Sequence, residues 1–219
     1  WGTPMRSTAA VALATIALIV LTIRGLGAET ATLDAVDIQD LGRELLAIRD
    51  GSSPSRIRLE KREKVVWSQA KGIVGAVLTD RRFLAVSPDS TGWQEARLRP
   101  TDGRSPEVQL AANLALMISP RRILGFDGVS GRFTECRLTP LENVVTSDAD
   151  EDVGVVVTNR RVIGWASRFG SPVDRSFTVH ESFESLRVLS KTASVRTSDR
   201  VLIFSSSSGL WRDEELPLN

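Results

Sequence analysis

Few residues in this chain could make or break a covalent bond. The 219 residues hold one histidine, His180, one cysteine, Cys136, and no tyrosine. That leaves little acid–base machinery working near neutral pH. His180 follows a strand-like run and has only Glu181 beside it, so it reads as a loop or edge residue. Cys136 lies between Glu135 and Arg137 in a strand-like segment and reads as a packed thiol. A lone cysteine excludes an intramolecular disulfide, a zinc site and a redox pair. Ser205-Ser206-Ser207-Ser208-Gly209 has the composition of a turn and not of a nucleophile elbow. No phosphate-cradling loop or dinucleotide fingerprint precedes a helix. The run Asp148-Ala149-Asp150-Glu151-Asp152 lacks the central glycine and closing glutamate of an EF-hand loop and reads as a solvated connection. The expectation is therefore a non-enzymatic protein with no catalytic residues, cofactor, metal or small-molecule substrate.

The charges are more informative through their spacing. Arg82 and Glu95, Arg122 and Glu135, Arg161 and Asp174, and Arg200 and Asp213 each stand 13 residues apart. Glu44 and Arg56 repeat the pattern with the signs exchanged, 12 residues apart. Such a constant interval predicts pairs that face each other on neighbouring strands. Basic and acidic residues nearly cancel, 28 against 27, which argues against bulk nucleic-acid binding.

The elements that position these residues recur with a period of 38 to 40. The marker is a short apolar run after a charged turn: 45–48, 83–86, 123–126, 162–165 and 201–204. Each marker is preceded by another strand-like run and a tight turn, such as Asp80-Arg81 or Asn159-Arg160. A Gly/Ser/Pro-rich loop and a third strand follow, and a fourth strand such as 64–67 or 143–146 opens the unit. Four antiparallel strands per repeat of about 40 residues predict an all-β fold, a five-bladed β-propeller over 29–219. Trp93, Phe133 and Trp211, at equivalent places, are expected to pack between blades; Pro172 breaks that series.

The segment Val156-Val157-Thr158-Asn159-Arg160-Arg161-Val162-Ile163-Gly164-Trp165 resembles a repeated element of uncharacterised bacterial five-bladed propeller-like proteins, here termed Thr-Asn-Arg-Arg repeats. Arg200-Val201-Leu202-Ile203-Phe204, followed by Leu210-Trp211, is similar to their closing unit. The resemblance covers 44–216, departs most at Glu44, and implies an architecture without an active site.

Residues 1–28 differ from the rest. Seventeen uncharged residues separate Arg6 from Arg24, about 25 Å as a helix against a hydrocarbon core of about 30 Å. Gly25-Leu26-Gly27-Ala28 would suit a signal-peptide cut site; the basic start fits a retained anchor. The expectation is a single-pass transmembrane anchor with the propeller on the periplasmic, non-cytoplasmic side. Equivalent turns of a propeller emerge on one face, so Arg43, Arg81, Arg121 and Arg160 are expected to form a protein-interaction rim able to dock acidic protein surface or anionic lipid heads, with Asp199 at the equivalent place of the last unit. The expected role is an accessory or scaffold subunit bound to the bilayer and to integral subunits of a larger membrane complex, respiratory or photosynthetic. An anchored glycan- or peptide-binding module is the alternative.

Overall fold

The computed structural model describes residues 34–103 and 105–216. They belong to one compact unit, Thr32–Asn219. The expected anchor over 1–28 lies outside the described residues. Among the described residues no helix is long and apolar enough to cross a membrane.

The fold is all-β; among the described residues a 3-10 turn at Pro100–Asp102 is the one exception. The nineteen strands of the described residues form five antiparallel sheets in chain order. The first sheet holds β1 (Val36–Asp40), β2 (Glu44–Arg49) and β3 (Ser55–Arg58). The second runs β4 (Val65–Lys71), β5 (Val74–Thr79), β6 (Arg82–Val86) and β7 (Gln94–Arg97). The third runs β8 (Glu107–Leu110), β9 (Leu114–Ile118), β10 (Arg122–Asp127) and β11 (Arg132–Arg137). The fourth runs β12 (Val144–Asp150), β13 (Val153–Thr158), β14 (Arg161–Ala166) and β15 (Val173–Ser176). The fifth runs β16 (Phe183–Leu189), β17 (Thr192–Thr197), β18 (Arg200–Ser205) and β19 (Leu210–Glu215).

Each sheet is a simple up-and-down meander, because short turns can join only neighbouring antiparallel strands. The apolar repeat markers are the third strands, β6, β10, β14 and β18, and in the first sheet β2. By register the first sheet supplies the second, third and fourth strands of a unit. Among the described residues that sheet has no opening strand.

The sheets stack face to face in sequence. Ile38, Leu45 and Ile57 of the first pack on Val77 and Leu84 of the second. Phe83 and Leu78 of the second meet Met117, Leu124 and Phe126 of the third. Leu116 and Ile123 of the third meet Val156, Ile163 and Trp165 of the fourth. Val155, Val157 and Val162 of the fourth meet Val195, Leu202 and Phe204 of the fifth. Trp93, Phe133 and Trp211 join these layers, as packing between sheets would require. The middle strands β5, β9, β13 and β10 are therefore buried on both faces. In β2 and β17 alternation marks the burial, so among the described residues the outer faces of the first and fifth sheets are open. A five-membered ring closed within one chain would bury those two faces as well.

Candidate functional site

The charged residues with constant spacing lie at the joins between sheets. Arg82 opens β6 at the junction of the first and second sheets and is 5% exposed. Its Nη1 donates to Glu95 Oε2 on β7 at 2.6 Å. Its Nε and Nη2 donate to Glu63 at 2.9 and 2.8 Å, and Nη2 also reaches the Arg58 carbonyl of the preceding sheet at 3.1 Å. One guanidinium thus binds its own sheet, the connecting segment and the previous sheet.

The same clamp occurs at the three later junctions. Arg122 holds Glu135 at 3.2 Å, Asp102 at 2.6 Å and the Arg97 carbonyl at 2.7 Å. Arg161 holds Asp174 at 3.4 Å, Glu142 at 2.8 Å and the Arg137 carbonyl at 2.9 Å. Arg200 holds Asp213 at 2.6 Å, Glu181 at 2.8 Å and the Ser176 carbonyl at 3.0 Å. The first sheet has no counterpart among the described residues; Glu44 and Arg56 make only a loose, exposed contact at 3.7 Å.

The four connecting acids, Glu63, Asp102, Glu142 and Glu181, are the residues that the 13-residue interval did not reveal. They recur every 39 or 40 residues, 19 or 20 before each clamp arginine, so the signal was present. Each also accepts a hydroxyl from Thr79, Ser119, Thr158 or Thr197 and a backbone N–H three residues upstream. A buried charge is tolerated only when its hydrogen-bonding capacity is filled in this way. Burial pushes the Glu63 carboxyl up, but Arg82, the Glu60 N–H and Thr79 outweigh it and hold the pKa at about 2. Asp102, Glu142 and Glu181 are lowered by the same balance, burial opposing and Arg122, Arg161 and Arg200 prevailing.

These clamps fix one end of the stack, where the turns between second and third strands meet the connecting segments. All four rim arginines are exposed, but they differ in freedom. Arg81 pairs with Glu60 at 2.8 Å, and Arg121 donates to the Thr139 and Pro140 carbonyls at 3.3 and 2.6 Å. Arg43 lines a cavity of about 760 Å³ with Arg58, Lys61 and Arg62 at the first junction. Among the described residues Arg160 engages only its backbone, whose N–H donates to Thr158 Oγ1 at 3.2 Å. The same end exposes Leu41, Leu141 and Val179, the last 94% accessible.

His180 is exposed in the fourth connecting segment. Burial pushes the Cys136 thiol up, so it is a poorer nucleophile than a free cysteine. Asp152 of the acidic run accepts from Asn113 Nδ2 and Ser167 Oγ, bracing a turn. Among the described residues no cluster of three or more histidine, cysteine or carboxylate side chains could hold a metal.

No family model matches the chain, and no curated protein does. Among solved structures, BamB from Moraxella catarrhalis aligns at 15% identity and a TM-score of 0.36, covering 82% of this chain and 64% of that one. Prp20p from Saccharomyces cerevisiae aligns at 10% identity and 0.39, covering 80% and 58%. The N-terminal domain of Nup159 aligns at 12% identity and 0.36, covering 83% and 58%. The chain thus spans less than two thirds of each of these structures.

Proposed function

We propose that the five sheets act as propeller blades in a non-enzymatic scaffold or accessory subunit, held to the bilayer by residues 1–28 and docked through its clamped end onto subunits of a larger membrane protein complex. On this reading the chain belongs with the bacterial Thr-Asn-Arg-Arg repeat proteins that its repeats resemble, and the blades stand on the periplasmic side.

The observation that carries the reading is the composition of that end. The same end exposes Leu41, Leu141 and Val179 together with Arg43, Lys61, Arg62 and Arg160, and the clamps hold its connecting segments. A surface that is both apolar and basic suits a protein partner with an acidic rim, since apolar contact supplies affinity and charge supplies orientation. Arg81 and Arg121 serve chiefly to hold the loops, and Arg43 and Arg160 are the rim arginines available for contact.

The test is purification of the full chain from membranes in mild detergent, with mass spectrometry of everything retained. Integral membrane subunits are expected at fixed stoichiometry, and intact mass should include residues 1–28. Combining Leu141→Asp with Val179→Asp should lower recovery of those subunits at least tenfold. Undiminished recovery in that variant would overturn the docking end.

A further inference from the structure

The open outer faces of the first and fifth sheets are complementary to one another. Register fixes which residues are equivalent. Leu46, Leu84, Leu124, Ile163 and Leu202 occupy one place in the five sheets, and their partners on the next strand are Arg56, Glu95, Glu135, Asp174 and Asp213. In the later sheets this place looks back at the preceding sheet, as Leu84, Leu124, Ile163 and Leu202 do. The forward-looking place holds Leu45, Phe83, Ile123, Val162 and Val201, with partners Ile57, Ala96, Cys136, Arg175 and Glu214.

Across the junction of the fourth and fifth sheets, forward-looking Arg175 pairs with backward-looking Asp213 at 2.9 Å. On the two open faces both signs are exchanged. The fifth sheet looks forward with Glu214, and the first looks back with Arg56, where the other four sheets carry acids. Two further positions agree as well. Gly75 lies against Val36 and Ile38, and Gly154 against Leu114 and Leu116. The same placement sets Asp37 of the first sheet against Thr192 and Ser194 of the fifth, a carboxylate facing two hydroxyls. Gly164 lies against Phe204; the matching pair is Ile203 against Ile48, apolar on apolar. Two isoleucines there replace a small residue against a large one, so the facing sheets would stand slightly further apart than within the chain.

We propose that the fifth sheet of one copy packs head to tail on the first sheet of a second copy, with Glu214 of one paired to Arg56 of the other. Among the described residues nothing covers either face, so a second copy satisfies each without rearranging either. The contact is heterologous: it closes into a ring if the rotation per copy allows and otherwise extends. This inference is independent of the docking end, which lies on another surface of the sheets.

The experiment is sedimentation velocity of the full chain in detergent over a dilution series. Particles of two or more copies are expected. Arg56→Glu should raise the dissociation concentration at least tenfold, and adding Glu214→Arg to that variant should restore association. Arg56 is two-thirds exposed, so its substitution should leave the thermal melt unchanged at concentrations where the unaltered chain is itself dissociated; if it does not, Glu214→Arg alone carries the same expectation. A chain that stays monomeric at every concentration, or a single variant that associates as tightly as the unaltered chain, would overturn the proposal. Association that charge reversal leaves intact would assign it to residues outside these faces.

Discussion

The third and fifth sheets are built from the same repeat and yet solve different problems. In β9 every residue is buried, and its sequence, Leu-Ala-Leu-Met-Ile, is apolar on both faces. In β17 the sequence is Thr-Ala-Ser-Val-Arg-Thr, and burial alternates. The strand order and the clamp are the same, so neither makes the difference. What differs is whether a neighbour covers the second face. A strand between two sheets must be apolar throughout, whereas a strand with one open face alternates with the period of the pleat.

The largest expected effect comes from breaking a clamp between covered sheets. Asp102→Ala leaves the Arg122 guanidinium, 4% exposed, without its main counter-charge. Removing one partner of a buried pair typically costs about 3–5 kcal/mol. Arg56→Ala in the first sheet removes an exposed contact and should cost less than about 1 kcal/mol. Chemical denaturation of both variants measures the contrast; equal losses would mean that the clamps do not hold the stack.

Acid should expose the same asymmetry. The folded pKa of Glu63 is about 2, below the ordinary value of 4.5, because Arg82, the Glu60 N–H and Thr79 outweigh burial. Its stabilisation is thus complete above about pH 4.5 and is lost as pH falls through about 2. The difference corresponds to on the order of 3 kcal/mol. Asp102, Glu142 and Glu181 shift in the same direction, so their contributions disappear on the acid side too. Thermal melting from pH 7 to pH 2 should show a steep fall below about 4.5. Glu63→Gln should lower the melt at pH 7 and make it less sensitive to acid.

How far the sequence disclosed this follows from what each residue must satisfy locally. The five apolar markers could be read because a strand core repeats its own composition wherever it is covered. The Arg–acid pairs on adjacent strands could be read because a meander of fixed turn length fixes their interval. Glu63, Asp102, Glu142 and Glu181 were harder: they sit in loops, where an acid is ordinarily solvated, and only the fold brings them under an arginine. The free or engaged state of rim arginines was not legible either. Arg81 and Arg43 occupy the same turn position, but Glu60 captures the first. Open and covered faces had a visible trace in Asp37, Gln39, Ser194 and Arg196, which stand where the repeats between covered sheets carry glycine, alanine or a larger apolar side chain; reading it required knowing which residues face outward.

The smallest expected effect is the most discriminating for the two kinds of sheet. Val155 in β13 and Ser194 in β17 are equivalent by register: Val155 pairs with Gly164, and Ser194 with Ile203. Val155 is fully buried against the fifth sheet. Val155→Ser removes apolar contact and buries a hydroxyl, for a loss of about 2–4 kcal/mol. The reciprocal change, Ser194→Val, adds a β-branched residue to an open face and should change stability by less than about 0.5 kcal/mol, with the sign set by strand propensity. Its effect should grow where that face is covered. Ser194→Val should therefore shift the melting temperature by the same small amount at every protein concentration if the chain is alone, and by an amount that rises with concentration if another sheet sits on it.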